Sequence, residues 1–426
     1  MNFKEIAEKI NNAGGAMYLV GGAVRDQVLG IEPHDYDFCV TGINIEEFTQ
    51  LFPEAKIQGK DFPVFILNGC EVALARTEEK VSEGYKGFKI NTSKDITIED
   101  DLRRRDLTIN AIAVNVLTSE IFDPFGGIDD LRNGNIRHVS SAFSEDPLRA
   151  YRAARFAAKF GFKVDNETLK LINDLKPELN TIKPERLYVE LEKALSSKTP
   201  SIFFEVLRDA KVLDVHFKEI NDLVGVIQPE KYHPEGDAFN HSMIVLDKVA
   251  NKTPDVAVRF AGLVHDLGKG TTPVEELPRH IGHDERGIYL VETLSNRLKL
   301  PKKWQSFGCD AARLHMKAAK IKEMRPAKLA KFLYEICHSK IGAEALEIIV
   351  QADEMTDRPL VEFAKLARTV REEVSGKTLM AQGFDVKVCG YDKFNQLLFE
   401  RQGEVIKRIR DNKNLTSNET PDEVGL

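Results

Sequence analysis

No C-x-x-C pair occurs among the five cysteines of this 426-residue chain; Cys39, Cys70, Cys309, Cys337 and Cys389 are scattered and odd in number. That spacing argues against a zinc knuckle and a disulfide framework, and a reducing, cytoplasmic setting is expected. Apolar stretches of membrane-spanning length are missing too, so no membrane partner is expected. The opening residues, "MNFKEIAEKI", read as an amphipathic helix and not as a signal peptide. Positive charge is short overall, with 60 Lys and Arg against 67 Asp and Glu and a net charge of −7. Any nucleic-acid partner must then be held by local basic patches. There is no internal repeat and no low-complexity block.

What is present is an ordinary globular composition, 42% hydrophobic and 30% charged, in a length that suits about three domains. Between positions 16 and 140 short β-rich runs ("AMYLV", "YDFCVTG", "FPVFIL", "EVALA", "AIAVNVL", "IFDPFGG") alternate with helical segments. From "SEDPLRAYRAARFAAKFGF" onward the pattern is helical almost throughout. The class expected is α+β: a mixed head over 1–140, a helical neck and body over 141–228, a histidine-rich region over 229–355, and a helical tail over 356–426. "PEKYHPEGD" marks the seam before the histidines, and the polar end "DNKNLTSNETPDEVGL" is expected to fray.

In the head, "YLVGGAVRDQVLG" reads as a strand, a glycine turn at Gly21 and Gly22, and a helix. Glycines there let backbone N–H groups approach a phosphate, and Arg25 in the first helical turn can pair with the same group. "HDYDFCV" follows, placing Asp35 and Asp37 two apart, so that both project from one face of a strand. Two carboxylates so close repel unless a cation lies between them. Hard oxygen ligands suit Mg²⁺, and paired metals serve in-line phosphoryl or nucleotidyl transfer. A solvated edge strand is the alternative.

Glu71 in "CEVALAR" is a candidate third carboxylate on a strand beside this pair. Asp146, Arg149, Arg152, Arg155 and Lys159 recur at helical spacing in "EDPLRAYRAARFAAKF", and so line one face. Asp146 followed by Pro147 is also a favourable helix start.

These segments, with "GKDFPVFIL", "EVALART", "EDDLRRRDLTINAIA" and "IFDPFGGIDDL", resemble the class II tRNA nucleotidyltransferases, the CCA-adding enzymes, over Met17–Phe162. The resemblance implies a polymerase-β-like head and addition of CCA to the tRNA 3′ end from CTP and ATP, with Mg²⁺ held by Asp35 and Asp37. It implies that Gly22, Arg25 and Arg105 cradle the triphosphate, and that Asp146, Arg149 and Arg152 select and bind the nucleotide. The chemistry suits this: an aspartate accepts the exocyclic amino hydrogen of cytosine or adenine while an arginine donates to the ring acceptors. G and U offer the opposite pattern. "TEEKVSEGYKGFKINTS", short of apolar anchors, matches the loop such enzymes use to switch from C to A, and is expected to be mobile.

Six of the ten histidines fall between His233 and His315. Imidazoles with carboxylates suit transition metals, which activate water at neutral pH. The ordered set His241, His265-Asp266 and Asp353 resembles the HD phosphohydrolases, whose metal those four positions hold; Asp357 rivals Asp353. Ni²⁺ or another transition metal is implied, with phosphate esters such as 2′,3′-cyclic phosphates as substrates. His280 and His283 are expected at a second site or on phosphate, His315 to be structural, and His233 to be idle. A poly(A) polymerase, a CC-only adder, or an HD hydrolase whose degenerate head merely binds RNA remain open, as does a monomer or a homodimer.

Overall fold

The computed structural model describes every residue except Met1, 59–62, 81–87, Tyr232, 354–359 and 418–426. The chain forms two compact units, Met1–His216 and Phe217–Leu426.

The first unit is built on a mixed seven-stranded sheet. Its strands β1 (Ala16–Val20), β2 (Asp37–Thr41), β3 (Lys56–Gln58), β4 (Val64–Leu67) and β5 (Cys70–Leu74) are joined by Ala113–Asn115 and Ile121–Phe122. The order is β3-β4-β5-β2-β1, then Ala113–Asn115 and Ile121–Phe122. All six runs read from the sequence are in it. The strand missed, β3, is the exposed three-residue edge "KIQ", whose single apolar residue carries no periodic signal.

Apolar residues alternate inward along the strands and close over a core of Tyr18, Val20, Cys39, Leu102 and Ala113, among others. The helix Leu148–Phe160 packs against Pro184–Leu195 and Ser201–Asp209. Ala150, Ala153, Ala154, Ala157 and Ala158 are fully buried on it, so small side chains let its backbone approach its neighbours.

Two expectations change. Strand β2 begins at Asp37, paired with Val20, the last residue of β1. Beyond that pair Gly21 turns the partner away with φ 69°, so Asp35 lies ahead of the strand and not on it. The arms of the expected mobile loop, Thr77–Lys80 and Phe88–Asn91, are paired as an antiparallel ladder, and its tip, 81–87, lies outside the described residues.

The second unit is helical. Ala238–Lys252, Val256–Val264, His283–Arg297, Lys302–Ala319, Pro326–His338 and Gly342–Ala352 bury one apolar core that includes Val249, Leu314, Phe332 and Ile349. Gly268 follows the His265-Asp266 pair, and a Cβ there would stand 1.9 Å from the His283 carbonyl oxygen. Only glycine lets the segment behind Asp266 lie against the start of His283–Arg297.

Candidate functional site

The first unit holds a cavity of about 540 Å³ whose walls carry seven arginines (Arg25, Arg104, Arg105, Arg149, Arg152, Arg155, Arg186) and three aspartates (Asp37, Asp106, Asp146). Such a surplus of guanidinium suits a triphosphate. At one end stands Asp37, the first residue of β2, facing Glu71 across the parallel β2–β5 ladder. The strand neighbour expected for Glu71 is therefore present. Desolvation raises the Asp37 carboxyl pKa, Arg105 pulls it back, and Asp35 pushes it up again. The carboxylate repulsion read from the sequence is felt even though Asp35 is off the strand; neither Asp35 nor Glu71 lines the cavity.

The turn after β1 supplies the floor. Gly21 sits at φ 69°, a conformation that side-chain-bearing residues rarely adopt, and a Cβ there would also displace Nη1 of Arg105, 2.9 Å away. At Gly22 the same atom would make only ordinary contact, so the conformational demand falls on Gly21. Arg25 is buried. Its Nη1 donates to Asn110 Oδ1 at 2.7 Å, and its guanidinium lies 5.2 and 5.1 Å from the ring centres of Phe156 and Phe160.

Two buried aspartates, which sequence reasoning did not assign, organise the arginines. Asp101 accepts from Arg104 at 2.6 Å and from Arg105 at 3.2 Å. Burial opposes its charge, yet the two guanidinium groups hold its pKa below the usual carboxylate range. Their i, i+3 and i, i+4 spacing across the end of the helix Ile98–Arg103 is the signal that could have found them. Asp106 accepts from Arg152 at 2.6 Å and from Asn110 Nδ2 at 3.1 Å. Against its burial, Arg152, Asn110 and Arg149 keep its pKa at about 2.

At the far end, Asp146 plays two structural parts at once. One carboxylate oxygen accepts from the Leu148 N–H at 3.1 Å, so the helix cap is real; the other accepts from Arg186 at 2.6 Å. Arg186 had no sequence signal, being forty positions away on another helix. Arg149 donates to the carbonyls of Ala142 at 2.7 Å and Arg104 at 2.8 Å. Six residues on, Arg155 is paired with buried Glu190 at 2.5 Å. The helical face read from the spacing is thus the wall of this cavity as far as Arg155.

The second unit gathers the histidines. His241, His265 and Asp353 could hold one cation, and Asp266, His283 and His315 another; all six are buried. His241 Nε2 lies 2.8 Å from Asp353 Oδ1, and His265 Nε2 lies 3.2 Å from Asp266 Oδ2. His283 and His315 each place Nε2 3.3 Å from Asp266 Oδ1. His315 is therefore not merely structural: it faces Asp266. Asp357 lies outside the described residues.

The donor chemistry fits a metal. Nε2 of His241 and His265 and Oδ1 of Asp266 are buried without a hydrogen bond. Each imidazole Nδ1 faces an oxygen: Glu235 for His241 at 2.6 Å, Gly262 for His265 at 2.8 Å, His280 for His283 at 2.6 Å, and Ala311 for His315 at 3.0 Å. Those acceptors fix the proton on Nδ1 and leave Nε2 as the ligand atom. Burial disfavours an imidazolium at His265, but Asp266 and Asp353 overcome it and raise its pKa to about 9. Lys269 adds an ammonium 2.6 Å from Asp266 Oδ2, and His233 shares Glu235 at 3.0 Å. Neither was foreseen. His280 is held by Thr272 and the Ile227 carbonyl.

Three family models match: the poly A polymerase head domain over residues 17–137, the "Probable RNA and SrmB- binding site of polymerase A" over 161–223, and the HD domain over 238–367. The multifunctional CCA protein of Nitrosococcus oceani is 48% identical over 324 residues, covering 75% of this chain and 79% of that protein. That of Thioalkalivibrio sulfidiphilus is 39% identical over 409 residues, covering 92% and 98%. Among solved structures, the Thermotoga maritima CCA-adding enzyme complexed with tRNA is 21% identical with a TM-score of 0.59, covering 99% of this chain and 92% of that one.

Proposed function

The chain belongs to the multifunctional CCA proteins, CCA-adding tRNA nucleotidyltransferases with an HD domain, and on that premise we propose which residues perform each reaction. The first unit extends the tRNA 3′ end with C, C and A from CTP and ATP. One observation carries this reading: a single cavity joins the carboxylate end of the sheet to the Asp146–Arg149 pair through a row of arginines.

Asp37, with Asp35 and Glu71 beside it, would hold Mg²⁺, which when bound would supply Lewis-acid activation of the 3′-hydroxyl and neutralisation of pyrophosphate. Gly21 and Gly22 leave room for the phosphates, and Arg25 and Arg105 bind them. Asp101 and Asp106 fix the arginines in advance, so no ordering cost falls on binding. Asp146 and Arg149 read the base edge, and Arg152, oriented by Asp106, binds the sugar-phosphate. The test is to incubate tRNA lacking CCA with CTP, ATP or both and sequence the 3′ ends. Tails of A alone, or arrest at CC with ATP present, would overturn the reading.

Base choice gives a sharper expectation. Asp146→Ala should lower the kcat/KM ratios of CTP over UTP and of ATP over GTP by about 10–100-fold, the worth of a lost bidentate pattern. Arg155→Ala, whose partner is Glu190, should leave those ratios within about threefold. Were the Asp146 variant to lose only melting temperature, Asp146 would be a helix cap and nothing more.

The HD unit hydrolyses phosphate monoesters and 2′,3′-cyclic phosphates. His241, His265, Asp266 and Asp353 would hold a transition metal such as Ni²⁺, with His283 and His315 on the far side of Asp266, and the metal would supply water activation and a Lewis acid for the phosphoryl oxygen. Lys269 keeps Asp266 ionised, and Glu235 orients His241. Glu235→Gln should therefore weaken metal binding by about 10–100-fold with the fold intact, as read by metal titration and melting temperature. Unchanged affinity would remove Glu235 from the site.

A further inference from the structure

We infer that the basic surface where helix Lys302–Ala319 ends and helix Pro326–His338 begins binds an RNA backbone, delivering that strand's terminal phosphate ester to the HD cavity. The inference rests on the reading of that cavity as a phosphohydrolase, and it names the substrate as an RNA end in place of a free nucleotide.

Charge points to the partner. Residues 316–331 carry Lys317, Lys320, Lys322, Arg325, Lys328 and Lys331 against Glu323 alone, in a chain whose net charge is −7. An isolated lysine is ordinarily a solvated surface group, but here the cations line a groove. Lys317, Lys320, Arg325 and Lys328, with Met316, Glu323 and Met324, enclose about 580 Å³. Lys320, Arg325 and Lys328 are exposed, and no carboxylate pairs with them among the described residues; Lys317 is paired with Glu335 at 3.0 Å. Unneutralised cations in a row attract a polyanion and release its counterions on binding.

Position points to the purpose. Met316 lines this groove and also the HD cavity of about 680 Å³, where Lys231, Lys269 and Arg279 stand around Asp266, His283 and His315. A mononucleotide would need only the cavity; a strand needs cations beyond it, where its next phosphates fall. The strand is RNA because a 2′,3′-cyclic phosphate requires a 2′-hydroxyl. In the hydrolysis, water's oxygen joins phosphorus, one P–O ester bond breaks, and the proton goes to the released ribose oxygen.

The test uses the full chain loaded with metal, carrying Lys320→Glu, Arg325→Glu and Lys328→Glu together, all exposed positions. Substrates are a short RNA ending in a 2′,3′-cyclic phosphate and 2′,3′-cyclic AMP. The variant should raise KM for the RNA about tenfold or more, keep the mononucleotide's kcat/KM within about twofold, and flatten the salt dependence of RNA turnover by about two logarithmic units per decade. Equal loss on both substrates, or on neither, would overturn the inference. A raised KM for tRNA in CCA addition would also overturn it, by assigning the surface to the other reaction. If the unaltered protein hydrolyses neither substrate, the phosphohydrolase reading fails by itself. Fluorescence anisotropy of the same RNA then decides the surface: weaker, less salt-sensitive binding by the variant upholds it, and equal binding overturns it.

Discussion

Asp37→Ala is expected to slow nucleotide addition by about 10³-fold or more while leaving phosphohydrolase activity within about twofold. The size of the loss follows from what the carboxylate is proposed to do. Metal ions stabilise several kcal/mol of transition-state charge, and Asp37 is the carboxylate that both lines the cavity and faces Glu71 across the ladder. Removal of an exposed side chain at a strand end costs little folding energy, so activity and melting temperature should separate. The selectivity of the effect follows from each unit having its own core. Single-turnover incorporation of CTP and ATP, run beside hydrolysis of a cyclic phosphate, reads both. Normal incorporation by the variant would refute the assignment of the metal to β2.

The reverse pattern is expected of Asp266→Asn: hydrolysis falls by about 10³-fold and CCA addition persists. Asp266 touches both candidate cation sets, with His265 on one side at 3.2 Å and His283 and His315 on the other at 3.3 Å. Asparagine keeps the shape but lacks the anionic charge with which Asp266 would ligate a cation. It also leaves Lys269 with Gln228 as its remaining partner, at 2.6 Å, and an unpaired buried ammonium costs about 3–5 kcal/mol. A melting shift should therefore accompany the loss. To separate the two effects, metal content is measured on the folded variant below its melting point: metal lost with the fold retained supports the ligand role, and full metal with full activity would sink it.

The strands of the sheet were legible as short β-rich runs between turn residues, and the helix Leu148–Phe160 because its charges recur every three or four positions. The candidate metal ligands stood out because histidine and aspartate are seldom so crowded. The sequence did not announce what holds those groups still. Asp106 meets Arg152 and Asp146 meets Arg186 only after the chain has folded back on itself. Glu235, an acid in a turn, becomes the partner of two histidines for the same reason. Asp35 was placed on the strand since periodicity cannot tell where the neighbouring strand runs out. Ladder pairing ends at Val20, and with it the strand.

Arg149 and Asp146 are already spoken for: the one by two main-chain carbonyls, the other by Arg186 and a helix N–H. On the proposed reading, an incoming base therefore exchanges hydrogen bonds one for one instead of adding new ones. Cytosine and adenine complete the exchange at little net gain. Guanine and uracil break the resident bonds and return nothing, leaving half-buried polar groups without partners at a cost of about 1 kcal/mol each. The pocket trades tight grip for fidelity, so its right nucleotides should be held loosely and let go quickly, as repeated addition at one growing end requires.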